Sequence, residues 1–251
     1  MAQDLLHQKV ALITGAAAGI GEGTAHLFAE HGAHAFILDV NAGGGAAVAA
    51  AIRAKGGSAF SFTTDVRRPD TIHPAVQAAL EQFGRIDILI NNAGVYPRRS
   101  FLEMTEQEWD DMQETNLKGI FHCTKIVLPH MVKQSAGKIV NISSVTFFKG
   151  MQNLSHYVAA KGGVIGLTRS LAREMGPYNG YVNCITPGAI EVESEKLVAT
   201  PEQMAAIVAQ QCLQRRLKPL DIARVCLFLA SEWSDGMTGQ TVNVDGGLVM
   251  Y

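Results

Sequence analysis

Residues Val10–Gly21 read VALITGAAAGIG, and the reading of this stretch decides the fold. A short apolar run ends at Thr14, a glycine-rich turn follows, and the helix-forming segment EGTAHLFAEHG comes next. Strand, tight turn and helix start in that order form the context a dinucleotide site requires. Gly15, Gly19 and Gly21 let the backbone turn sharply and approach a pyrophosphate, whose charge is favoured at a helix N-terminus beside Ile20. The spacing is G-x-x-x-G-x-G rather than G-x-G-x-x-G, and a glycine-rich loop without a ligand is the competing reading.

Working outward, Ala35–Val40 (AFILDV) reads as a second buried strand, with Asp39 at its end, eighteen residues past Gly21. An acid there accepts hydrogen bonds from adenosine ribose hydroxyls and repels a 2′-phosphate; the alternative is a turn or helix-cap aspartate. Further strands are expected at Ser58–Thr63, Ile86–Ile90, Lys138–Ile142, Val182–Ile185 and Thr241–Val244. Helices are expected between them, including one opened by the capping box Thr105/Glu108 and carrying Asn116 about three turns in. Alternating strands and helices imply an α/β doubly wound parallel sheet.

A second stretch supplies chemistry. Ser144–Lys161 reads SVTFFKGMQNLSHYVAAK. Tyr157 and Lys161 are four residues apart, one turn along one face of a helix. An ammonium near a phenol favours the phenolate, which makes Tyr157 a candidate general base. Ser144 follows the apolar run KIVNIS, so the end of a strand and the start of a helix bring two hydroxyls toward one substrate oxygen. A Tyr and a Lys at this spacing also occur on surface helices.

Taken together, these motifs resemble the short-chain dehydrogenase/reductase family over nearly the whole chain. Thr14–Gly21 fits TGxxxGxG, Asn91–Gly94 fits NNAG, and Asn116, Ser144, Tyr157 and Lys161 fall where the catalytic tetrad falls. Pro187-Gly188 follows the sixth strand, and TGQTVNVDGG closes the chain. The resemblance implies a seven-stranded Rossmann sheet in one domain over residues 1–251, and the more polar, helix-biased stretch from about 190 to 216 reads as a substrate lid. The resemblance also implies a cofactor site of Gly15, Gly19, Ile20, Gly21, Asp39, Asp65, Val66, Asn92, Ala93, Gly94, Tyr157, Lys161, Pro187, Gly188 and Ile190, with Asp65 and Val66 against the adenine. Lys161 is expected to touch the nicotinamide ribose, and Asn116 to support a proton relay. One departure is the lack of a threonine in Ala189-Ile190-Glu191-Val192, where family members often contact the carboxamide.

The expected function is NAD-dependent hydride transfer to or from a secondary alcohol, sugar or aldehyde/lactol-type substrate, in a catabolic direction. Asp39, with Ala18 and Val40 in place of basic residues, favours NAD. The segments TFFKG and YVAAKGGVIGLTR resemble bacterial catabolic members such as pyridoxal dehydrogenases, and the NNAGxYP pattern from Asn91 resembles benzylic alcohol dehydrogenases. The alternatives are an NADP-dependent 3-ketoacyl carrier-protein reductase and a catalytically silent cofactor sensor. Arg98 and Arg99, close behind Gly94, and Lys149 are candidate contacts for an anionic substrate group. His156 is read either as a pocket residue or as a surface residue at a helix start.

Length and composition narrow the rest. The chain has 251 residues, 47% of them hydrophobic, with a formal net charge of -2, which leaves no basic footprint for nucleic acid. The four cysteines lack metal spacing and read as buried free thiols. No apolar stretch approaches the roughly 18 residues of a membrane span, and the N-terminus lacks the pattern of a secretory signal. A cytoplasmic homotetramer is expected, with the Tyr157 helix and the tail Gly246–Tyr251 as contact surfaces.

Overall fold

The computed structural model describes residues 4–193 and 200–250. Seven strands form one parallel sheet in the order β3-β2-β1-β4-β5-β6-β7. They are β1 Val10–Thr14, β2 His34–Asp39, β3 Ser58–Thr63, β4 Ile88–Asn91, β5 Gly137–Ile142, β6 Gly180–Pro187 and β7 Thr241–Val244. The helices are α1 Gly19–Glu30, α2 Ala42–Ala54, α3 Pro69–Phe83, α4 Glu106–Gln113, α5 Gly119–Lys133, α6 Thr146–Lys149, α7 Ser155–Met175, α8 Pro201–Val208 and α9 Pro219–Ala230.

Both faces of the sheet are covered, which is why its central strands β1, β2 and β4 are near-continuous apolar runs, whereas the edge strands β3 and β7 mix polar and apolar residues. On β1, Ala11 and Ile13 join a core with Phe28 of α1, Ile52 of α2 and Ile222 of α9. Val10 and Leu12 point the other way, into a core with Ile72 of α3, Val127 of α5 and Met175 of α7. The order reverses between β1 and β4, and in such sheets ligands bind beyond the strand carboxyl ends at that reversal.

Local chemistry sets the element ends. Thr105 accepts from the Glu108 amide while Glu108 caps Thr105 in return, as the sequence predicts. Gly32 and Gly84 end α1 and α3 with φ of 86° and 70°, a region that favours glycine. Two features matter for function. The long helix opened at Thr105 is interrupted by a π-helical turn, Glu114–Lys118, which holds Asn116. The loop after β5 folds into the short α6. Of the expected lid, residues 194–199 lie outside the described residues; the rest contains α8, and Ile190 pairs with Leu217. Cys212 is exposed, against the expectation of four buried thiols, because it lies in the irregular segment after α8 rather than on a strand or a helix face.

Candidate active site

β1 ends at Thr14, whose hydroxyl accepts the backbone N–H groups of Asn92 and Ala93, both at 3.0 Å. Asn92 returns the contact, donating to the carbonyls of Thr14 at 3.0 Å and Gly15 at 2.9 Å. The two motifs thereby lock together at the reversal point. Gly15 and Gly19 adopt φ of 64° and 62°, and a Cβ on Gly15 would stand 2.7 Å from the Ala93 Cα. Gly21 lies beneath the turn instead of facing the groove. A Cβ there would collide with the Gly15 carbonyl and come within 2.7 Å of the Asn92 amide nitrogen. Its part is to let the turn close, which corrects the expectation of a direct contact.

Ala18 begins α1 with no side-chain cap, so the first-turn N–H groups are left to the groove. That groove, about 840 Å³, is lined by Gly15, Gly19, Ile20, Asp39 and the stretch from Asn92 to Gly94, among others. Asp39 accepts from the Ala17 and Asn41 backbone N–H groups, each at 2.9 Å, and this aims its carboxylate at the end of the groove. Val40 stands at the lip, 65% exposed. Uncapped helix start, glycine cradle and acid at the second strand fit a dinucleotide. Asp65 and Val66 also line the groove, but the Asp65 carboxylate is taken by Arg67 at 2.6 Å, and the Arg67 hydrogen bond lowers its pKa. Its backbone and Val66, rather than a free carboxylate, are what the groove receives.

The groove runs into a cavity of about 320 Å³ lined by Asn116, Ser144, Tyr157 and Lys161 together with Pro187, Gly188 and Ile190. Ile20, Asn92, Gly94, Tyr96 and Val192 belong to both spaces. Ser144 is placed by β5, whose end is tied across to β6: Ser143 N–H donates to Ile185 O at 2.8 Å and Val145 N–H to Pro187 O at 3.0 Å. The Ser143 hydroxyl donates to the Lys161 carbonyl at 2.6 Å, joining β5 to α7. Lys161 donates from Nζ to Ile142 O at 2.8 Å and lies 5.6 Å from the centre of the Tyr157 ring. Tyr96 meets that ring edge-on, with centroids 6.2 Å apart.

The π-helical turn buries Asn116 completely. Its amide donates to Val95 O at 3.0 Å and Met112 O at 3.1 Å, and its Oδ1 accepts from Val95 N–H at 3.3 Å. Asn116 therefore fixes the chain just after Gly94, beside the Lys161 ammonium. The electrostatics differ from the sequence expectation. Burial pushes Tyr157 up to about 12, against the pull of the Ser144 hydrogen bond, and pushes Lys161 down to about 8. Desolvation outweighs the Ser144 hydrogen bond here, so the site by itself does not hold Tyr157 as phenolate.

The substrate candidates separate. Arg98 and Lys149 line the catalytic cavity. Arg99 does not: its guanidinium pairs with Glu108 at 2.7 Å, and its N–H bonds Asn153 O at 2.8 Å. His156 is neither a pocket residue nor a surface one. It is 1% exposed, its backbone carbonyl accepts from Gln113 at 2.9 Å, and burial lowers its pKa. The helical position before Tyr157 points it away from the cleft, toward α4. Sequence reasoning missed Leu154, Met204, Ile207 and Leu248, which also line the cavity. An apolar residue in the polar loop before Tyr157 was the one local signal, at Leu154.

A family model described as enoyl-(acyl carrier protein) reductase matches residues 15–249. A 3-oxoacyl-[acyl-carrier-protein] reductase, FabG, of Thermotoga maritima is 39% identical over 98% of this chain and 99% of its own. A Rhizobium meliloti protein named, with reservation, galactose dehydrogenase GalD is 38% identical over 97% of this chain and 96% of its own. The solved structure of an Agrobacterium tumefaciens protein, provisionally named a gluconate dehydrogenase, superposes with a TM-score of 0.94 at 31% identity, covering 100% of both chains. With the glycine turn, the NNAG strand end and the Ser144/Tyr157/Lys161 cavity in one cleft, the chain belongs to the short-chain dehydrogenase/reductase family of oxidoreductases.

Proposed function

We propose that the protein is an NAD-dependent dehydrogenase that interconverts a secondary alcohol and its carbonyl, with oxidation as the working direction. The observation that carries this is the continuity of the glycine-turn groove with the cavity holding Ser144, Tyr157 and Lys161. Nicotinamide, when bound, accepts or supplies the hydride. Gly15, Gly19, Ile20 and the open first turn of α1 would hold the pyrophosphate, Asp39 the adenosine ribose, Lys161 the nicotinamide ribose, and Pro187, Gly188 and Ile190 the nicotinamide side.

In oxidation, Ser144 holds the substrate oxygen and Tyr157 takes its proton. Tyr157 starts from a raised pKa, so it becomes a base only with positive charge close by. Lys161 supplies one such charge, remaining cationic below about 8, and any further cation brought into the cleft acts in the same direction. Asn116 keeps the Gly94–Val95 backbone in place beside that ammonium and is assigned to the proton path.

Asp39 and the apolar Val40 support NAD, since a 2′-phosphate would meet a carboxylate. The name of the Thermotoga maritima relative favours a second reading, a 3-oxoacyl reductase. Titrating both cofactors and assaying a panel of alcohols, sugars and a 3-oxoacyl thioester separates the two. NAD bound at least tenfold more tightly than NADP supports the first, and equal or tighter NADP binding overturns the cofactor assignment.

Cytoplasmic location and a homotetramer complete the proposal. The thiols of Cys123, Cys184, Cys212 and Cys226 are free, which suits a reducing compartment. Phe121 and Phe147, exposed on α5 and α6, offer apolar surface to a second subunit, and light scattering that finds only monomer at micromolar concentration contradicts the assembly.

A further inference from the structure

Beyond its reacting groups the catalytic cavity has a largely apolar wall, with Asn92 and Thr146 among its uncharged polar residues. Met151 and Leu154 from the loop before α7, Met204 and Ile207 from α8, and Leu248 from the tail form its wall. Among the described residues no carboxylate lines it; Glu191 and Glu193 face the adjoining groove instead. Two cations do reach the cavity, from separate loops. Arg98 follows β4, and Lys149 ends α6. Among the described residues the Arg98 guanidinium has no ion-pair partner, whereas its neighbour Arg99 is neutralised by Glu108. Lys149 gives one of its three donors to Gln210 Oε1 at 2.9 Å. That bond ties the α6 loop to the chain just after α8, and it leaves two donors for a ligand.

We infer that the substrate joins its reacting alcohol or carbonyl to an apolar body and an oxyanion, and that Arg98 and Lys149 hold the oxyanion. This rests on the dehydrogenase reading above and narrows it. A hexose is a poor fit, because hydroxyls desolvated against Met151, Leu154, Met204 and Ile207 lose water partners and gain none. An aliphatic chain suits that wall, and a guanidinium and an ammonium lining the same cavity from two loops suit a carboxylate or a phosphate. The two cations also give the cleft a local positive field on a chain whose net charge is -2, which favours capture of an anion.

The test uses the full-length enzyme with NAD. Kinetics are measured on 3-hydroxybutanoate, 5-hydroxyhexanoate and 7-hydroxyoctanoate, on their methyl esters, on 5-hydroxyhexyl phosphate and on galactose. Binding of hexanoate and of hexanamide to the NAD-loaded protein is followed in parallel by calorimetry. At least one acid or the phosphate should exceed its neutral counterpart tenfold in kcat/KM, and the comparison of 5-hydroxyhexanoate with the phosphate identifies the oxyanion. Arg98→Ala and Lys149→Ala should each raise KM for the anion about tenfold while leaving the ester and NAD affinity unchanged. Hexanoate should bind more tightly than hexanamide, and this preference should weaken in both variants.

Esters or galactose matching the anions, or hexanamide binding as well as hexanoate, overturn the inference and leave the dehydrogenase reading standing. Absence of turnover together with an Arg98-dependent preference for hexanoate has the opposite meaning: the anion site stands and the dehydrogenase reading falls.

Discussion

The two ends of the cleft are built by different means. At the dinucleotide end the work is done by backbone: positive-φ glycines, an uncapped helix start and Thr14 bonded to the Asn92 and Ala93 amides. At the reacting end it is done by side chains from β5, α7, the π-helical turn, α8 and the tail, which lie far apart in sequence. Backbone geometry tolerates almost no substitution because a Cβ has nowhere to go. A wall of side chains can be rebuilt residue by residue, and this is where a family of shared fold varies its substrates.

The largest effect expected from this contrast is chemical. Tyr157→Phe removes the proton acceptor and retains the ring packed on Tyr96. Turnover should fall by about 10²–10⁴-fold, the usual worth of a positioned acid–base group, while NAD affinity measured by fluorescence titration stays near wild type. An affinity loss of similar size would mean that the phenol belongs to the cofactor end and that the division of labour is wrong.

Next comes a change at the backbone end. Gly21→Ala places a methyl against the Gly15 carbonyl and the Asn92 side chain. Overpacking of this kind costs about 1–3 kcal/mol, and the turn itself must shift to relieve it. The variant should melt earlier than wild type and bind NAD at least tenfold more weakly. Wild-type affinity with wild-type melting would show that the turn has slack and that the cradle is less constrained than its contacts indicate.

How far each end could be read from sequence follows the same division. Gly15, Gly19, Asp39 and the NNAG strand end announce themselves because their constraint is local: a turn that only glycine can make, or an acid at the end of a strand. The Thr105/Glu108 cap and β7 were legible for the same reason. Tyr157 and Lys161 share one helical turn, so their pairing was legible too. Their pKa directions were not, since desolvation depends on everything packed around them. Met204, Ile207 and Leu248 gave no sign, because reaching the cavity depends on how distant segments fold back over β5 and α7. His156 misled for a related reason: a polar residue at a helix start reads as solvent-facing unless the packing of α4 is known.

A pH experiment sharpens the comparison at the buried pair. Burial lowers Lys161 from the ordinary 10.5 to about 8. Between those values the unfolded chain holds a proton that the folded chain has released, so raising pH through that window stabilises the fold. Tyr157 acts in the opposite sense above its ordinary value of 10, and the buried thiols Cys123 and Cys226 do so above 9. Comparison with Lys161→Met removes these shared contributions. Urea unfolding at about pH 7 and about pH 9 should show wild type gaining roughly 1 kcal/mol on the variant. A constant difference would mean that the ammonium is better solvated than its surroundings imply.

The smallest effect separates two adjacent arginines. Arg98 lines the catalytic cavity, and Arg99 is held by Glu108 at 2.7 Å, with both partners partly exposed. Solvent-screened pairs of this type contribute little to stability. Arg99→Ala should therefore lower the melting temperature by no more than a few degrees and leave KM for every substrate within about twofold of wild type. The Arg99 N–H bond to Asn153 O survives the substitution, so the loop keeps its path and Arg98 its place. A tenfold KM change in Arg99→Ala, with Arg98→Ala silent, would reverse the assignment: the Glu108 pair would then be a latch that opens for substrate, and the cavity wall would need to be redrawn on that side.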